Sequence, residues 1–191
     1  MIHYIYYFLD TFKTWNPLKV IVVYLILAIA GIYLSFNSDD AIDSFIGYNM
    51  AVIPAGVVLS ITLDTLNFDQ LHVMNIIYAT SGVTILMILS TTLFPTLFEG
   101  LEGILLQSLI SSLIVEGSMY FSGVTDLTKL DLFVAAVFCI YIGYDWAKVQ
   151  SEDPTPNNAV DACVSLYLDI LNFGLRIASA SSSRSSGRRR R

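Results

Sequence analysis

The stretch VIVVYLILAIAGIYLSF, residues 20–36, runs through seventeen positions without a charged side chain. At 1.5 Å per residue, a helix of that length covers most of a hydrocarbon core ~30 Å thick. Five further runs of the same kind follow at Phe45–Leu63, Val73–Phe94, Ile104–Phe121, Leu132–Val149 and Ala159–Ile177. Their connections are short and polar. Proline marks two of them, Pro95 after the third run and Pro154 with Pro156 before the sixth. The pattern predicts an all-α, polytopic transmembrane helix bundle of six spans over residues 18–178. Pro54 lies inside the second span, where it is expected to kink the helix and free backbone carbonyls for neighbouring helices to satisfy.

Composition agrees. Of 191 residues, 55% are hydrophobic and 14% charged, against roughly a quarter charged in an ordinary soluble domain. Mean hydropathy is +0.66. The net charge of −6 hides an asymmetry, because Arg184 and Arg188–Arg191 lie in the last eight residues and the rest of the chain sums to −11. Acidic residues fill the connections: Asp39, Asp40 and Asp43, then Asp64 and Asp69, then Glu99 and Glu102. On so apolar a chain the arginine cluster reads as a topology signal in contact with anionic headgroups, not as a nucleic-acid site. It places the C-terminus in the cytoplasm. Six spans return Lys13 and Lys19 to the same side, and the cell (inner) membrane is the expected location. Residues 179–191 read as a disordered Ser/Arg-rich tail. Residues 1–17, with Tyr4, Phe8, Phe12 and Trp15 at helical spacing, read as an interfacial helix or a residual span.

Enzyme chemistry finds little support. Cys139 and Cys163 fall in apolar runs with no CxxC spacing, and His3 and His72 lie at the edges of spans. No GxSxG, HExxH, GxxxxGK[ST] or GxGxxG pattern occurs. No cofactor, resident metal or enzymatic activity is expected.

The sixth run carries the most information. With Asp161 set at 0° and 100° per residue, Asn158, Ser165, Asp169, Asn172 and Arg176 all fall within an arc of about 80°. An ionised aspartate facing lipid costs at least ~2.5–3.5 kcal/mol, so this polar stripe must face protein or water. The fifth run supplies a partner in Asp145, read as its one acidic residue. The two runs form an antiparallel hairpin, which puts Asp145 within ~3 Å of Asp161 in depth and ~9 Å of Asp169. Depth alone leaves both pairings open. Two carboxylates together in a low-dielectric site cannot both ionise cheaply and are expected to share a proton or attract a cation. The bland alternative is helix–helix glue, each aspartate capping a carbonyl or pairing with Arg176 or Lys148. Glu116, late in the fourth run, reads as a cavity or interface residue, and His72 as a headgroup-level boundary.

The segments FCIYIGYDW (138–146) and LYLDILNF (166–173), with their aspartates 24 residues apart, resemble the C-terminal signature of the Bax inhibitor-1 family. VIPAGV (52–57) and STTLFP (90–95) are similar to earlier helices of that family, less distinctively. The resemblance implies a seven-span bundle around a central cavity. It also implies a pH-sensitive calcium leak gated by a di-aspartyl pair, which maps onto Asp145 and Asp169. Asp161 and Glu116 would then be accessory cation-attracting acids, with calcium the permeant ion. The family's gating arginine has no counterpart in the first two spans, where Lys19 sits only at an edge, leaving Arg176 and Lys148 as candidates. The alternative reading is a non-conducting regulator that binds a membrane protein partner such as a protease.

Overall fold

The computed structural model describes residues 17–66, 68–124 and 126–188. Among these are six α-helices: α1 (Pro17–Asn37), α2 (Ala41–Thr65), α3 (Gln70–Leu93), α4 (Glu102–Phe121), α5 (Thr128–Ser151) and α6 (Pro156–Arg188). The fold is all-α and polytopic, and each apolar run falls in one helix. Five helices, α2 to α6, are long and apolar enough to cross a membrane, while the apolar stretch of α1, Val22–Asn37, is shorter. The aromatic stretch from Tyr4 to Trp15 lies outside the described residues, as do Arg189 to Arg191.

Local chemistry sets the helix boundaries. Asp69 caps α3, its Oδ1 accepting the His72 amide at 2.8 Å. Thr155 does the same for α6, accepting the Asn158 amide at 3.1 Å, with Pro156 in the first helical position, where a missing N–H costs nothing. Pro95 cannot continue α3 and opens a short 3-10 turn, Pro95–Leu97. Gly123, with φ of +70°, ends the chain's run beyond α4 in the left-handed region that other residues avoid. Pro54 does not break α2, which is continuous from Ala41 to Thr65.

The chain forms two compact units. The first comprises residues 1–67 and 154–164, with α1 packed against α2. Small residues make that contact: Ala28, Gly31 and Ser35 on α1, and Ser44, Gly47, Ala51 and Ala55 on α2, all buried. A Cβ on Gly31 would stand 2.5 Å from the Gly47 carbonyl oxygen, and one on Gly47 would stand 2.5 Å from that of Gly31. Here the backbones themselves touch, as membrane helices with small interface residues allow.

The second unit comprises residues 68–153 and 165–191. In it α5 packs against both α3 and α4. Its core is Val134, Ala135, Phe138 and Ile142 of α5 with Phe173 of α6. The outward faces of α3 and α4 carry exposed Leu71, Ile77, Leu86, Leu89, Ile104, Leu106, Leu113 and Ile114. Apolar outside with polar groups drawn inward suits a chain whose solvent is lipid.

One boundary needs correction. Residues 179–188, expected as disordered, continue α6 as helix. Ala178 and Ala180 are buried, Ser181 back-bonds to the Ala178 carbonyl at 2.8 Å, and the Ser179 hydroxyl donates to Asp131 at 2.6 Å. Tertiary contacts thus hold a serine-rich stretch that composition alone reads as unfolded.

Candidate functional site

The polar groups of the second unit gather at two places along α6. At the first, Asp145 of α5 and Asp169 of α6 join by a hydrogen bond between their carboxyl groups. Such a bond exists only with a proton on one of them. Asp169 is 9% exposed, and its Oδ2 is buried without a hydrogen-bond partner. Of the two pairings left open by depth, the structure forms the one with Asp169.

Neighbouring helices fix this pair in place. Trp146, next to Asp145, donates its indole N–H to Thr92 Oγ1 of α3 at 3.0 Å, and Gln150 Nε2 reaches the same oxygen at 3.4 Å. Gly143 lets Phe98 and Met87 pack where a larger residue would collide with them. Tyr144 hydrogen-bonds Glu102 at the start of α4. Thr91, one residue before Thr92, is fully buried and its hydroxyl has no partner. Sequence reading did not single out Thr91, because a threonine in an apolar helix is ordinary until its surroundings are known.

At the second place, Arg176 bridges two acids. Its guanidinium makes a bidentate pair with Glu116, at 3.1 and 2.8 Å, and a third bond to Asp131 Oδ1 at 2.9 Å. Asp131 is 2% exposed and takes the Ser179 hydroxyl on its other oxygen. This corrects two expectations. Arg176 does not pair with the aspartate dyad, and Asp145 is not the only acid of its span. Helix α5 begins at Thr128, ahead of the expected Leu132, and so includes Asp131. The signal was present, since fourteen residues separate Asp131 from Asp145 and set them about 40° apart on one helix face. Glu116 is half-buried and ion-paired inside the unit. Lys148 pairs with Glu152 one turn away, at 3.7 Å and largely exposed.

The remaining stripe residues divide between the units. Asp161 belongs to the first unit, where it accepts the Ser35 hydroxyl and, at 3.4 Å, the Asn157 amide. Asn158 contributes its backbone N–H to the Thr155 cap. Ser165 is half-buried. Asn172 donates its amide to the Leu168 carbonyl at 2.8 Å, satisfying itself within its own helix. His72 stacks on Phe68 and lies 3.1 Å from the Ser181 hydroxyl. No group of three or more His, Cys, Asp or Glu side chains able to hold a metal occurs among the described residues.

The chain is similar to a zinc uptake protein. It is 30% identical over 155 residues to the high-affinity zinc uptake system membrane protein ZnuB of Haemophilus influenzae. The match covers 67% of this chain and 59% of that protein, so the chain spans less than two thirds of its relative's length. No family model and no solved structure matches the chain.

This finding corrects the reading taken from the 138–146 and 166–173 segments. A membrane protein of a zinc uptake system belongs to a different membrane family from the Bax inhibitor-1 proteins. The calcium leak channel implied by that resemblance falls with it, and so does the partner-binding regulator offered as its alternative. The reason lies in the alphabet of membrane helices. Leu, Ile, Tyr and Phe fill most positions of any span, so one aspartate in an eight-residue aromatic and aliphatic frame identifies little.

Proposed function

We propose that this chain is a membrane-spanning part of an uptake system for divalent metal ions, acting in transport and not in catalysis. The similarity to the zinc uptake membrane protein carries this reading. Five helices of spanning length and the outward apolar faces are consistent with it. The inner membrane, with the C-terminus in the cytoplasm, is the orientation that the arginine cluster favours. Another component of the same system is the natural protein partner.

Within that role, Asp145 and Asp169 form the station where the cation is met. The orphaned Asp169 Oδ2 and the unpartnered Thr91 hydroxyl supply oxygens beside the shared proton. An arriving divalent ion takes the two carboxylates and releases that proton, because a carboxylate must be deprotonated to act as a ligand. Two carboxylates without histidine or cysteine hold zinc loosely compared with a resident site. Loose binding suits an ion in transit.

The test is metal accumulation, by elemental analysis, in zinc-limited bacteria lacking their own zinc uptake membrane protein. Wild-type chain should restore zinc content, and Asp169→Asn present at the same membrane level should not. Wild-type chain in the membrane that leaves zinc content unchanged would sink the proposal. Restoration by both forms would remove the dyad from it.

A further inference from the structure

The first unit contains a cluster of oxygens that neither metal uptake nor helix packing uses. Asp161 and Asn157, one turn apart near the start of α6, meet Ser35 at the end of α1 and Ser44 in the first turn of α2. The Ser35 hydroxyl donates to Asp161 Oδ1. Asn157 Nδ2 donates to the Ser38 carbonyl at 3.1 Å and to Asp161 Oδ2 at 3.4 Å. Because that nitrogen faces two acceptors, the amide orientation is settled, and Asn157 Oδ1 is the atom turned toward Ser44.

There the hydrogens run short. Ser44 is 0% exposed, and its hydroxyl lies within hydrogen-bonding distance of two oxygens, Asn157 Oδ1 and the Ser35 carbonyl, the latter at 3.0 Å. A hydroxyl has one proton, and neither a carbonyl nor an amide oxygen can return one. One of these buried contacts therefore sets oxygen against oxygen with nothing between. A cation relieves such an arrangement.

We propose that Asp161, Asn157, Ser35 and Ser44 form a binding site for a sodium ion. The site contributes one carboxylate oxygen pair, one amide oxygen, two hydroxyls and the Ser35 carbonyl at the negative end of α1. That donor set is all oxygen, which selects hard cations. Its formal charge is −1, which matches a monovalent ion, whereas divalent sites recruit several carboxylates. Carbonyls at helix C-terminal ends are a recurring sodium ligand in membrane transport proteins. Asp39, Asp40 and Asp43, in and beside the α1–α2 connection, raise the local cation concentration outside it. Every ligand lies within the first unit, so the site is independent of Asp145 and Asp169 and of the transport reading.

The experiment uses the full chain purified in detergent at constant ionic strength, with choline replaced stepwise by sodium or potassium. Thermal unfolding and equilibrium binding of radiolabelled sodium are read together. Sodium should raise the unfolding temperature of the wild type by several degrees in a saturable way, with one ion bound per chain. Potassium and choline should do neither. Asp161→Asn should abolish both responses. Ser44→Ala, which keeps the carboxylate and the fold, should weaken sodium binding several-fold. Equal shifts with potassium, no bound sodium in the wild type, or unchanged binding in Ser44→Ala would each overturn the proposal.

Discussion

Arg176 illustrates how a single charge settles the cost of two others. Inside a membrane span an unpaired Asp131 carboxylate is expensive, and its removal from a finished ion pair is expensive as well, because Arg176 then loses a partner it was positioned to meet. Asp131→Ala should lower the unfolding free energy by about 3 kcal/mol, measured by denaturant titration in micelles. Glu116→Gln, at a half-exposed position, should cost only about 1 kcal/mol. Equal losses would show that Asp131 is not the buried anchor of the pair. Outside the membrane, Asp126 offers a cleaner pH test. Its Oδ1 accepts both the amide and the hydroxyl of Thr128, at 3.1 and 2.7 Å, and these bonds hold its carboxyl below the usual aspartate range. A depressed folded-state value stabilises the chain above the ordinary aspartate pKa and is lost as pH falls through the lower one. Asp126→Asn should therefore flatten the acid limb of the stability curve below about pH 4 and leave the neutral plateau unchanged. A curve that still falls as steeply would remove Asp126 from acid unfolding.

At the level of helices, the sequence was nearly explicit about where each one lies and nearly silent about its neighbours. All six apolar runs became helices, because length, proline and capping residues are local properties. The α1–α2 contact was not legible, since Gly31 and Gly47 look like any other glycines until two backbones meet over them. Asn157 was passed over for Asn158 for a related reason. The Thr155 cap fixes the phase of α6, so Asn157 is the residue one turn before Asp161, whereas Asn158 turns its amide N–H into the cap. The Asp145–Asp169 pairing needed helix offset and tilt, which residue counting does not give. These contacts make a paired prediction. Gly47→Val should destabilise the chain by about 1–3 kcal/mol, because its side chain must displace backbone. Gly82→Ala, in α3 with nothing within 4 Å of the added carbon, should stabilise it by up to about 1 kcal/mol. Thermal unfolding of the two variants side by side decides it, and equal changes of one sign would mean that α1 and α2 do not touch at Gly47.

For the chain as a whole, orientation follows from how its basic residues divide between alternate connections. If every described helix crosses once, the connections after α1, α3 and α5 share one side, and those after α2 and α4 share the other with the C-terminus. The first set carries Asp39, Asp40, Glu99, Glu152 and Asp153, with Lys148 as its nearby cation. The second has Lys129 close by and ends at Arg184 and Arg188 to Arg191. Lysine and arginine, not net charge, decide which loops stay in the cytoplasm, so the second set should be inside. Free Cys139 and Cys163 must first be replaced, since Cys163 is exposed and would react. In that background Asp39→Cys, Glu99→Cys and Asp153→Cys should react with a membrane-impermeant maleimide applied to intact cells. Asp126→Cys and Ser182→Cys should react only after the membrane is opened. An N-terminal tag should behave like Ser182→Cys, because α1 makes the number of crossings even. A tag that reacts in intact cells, with the five loops labelling as expected, would mean that α1 does not cross, and that its short apolar stretch lies along the membrane instead of through it.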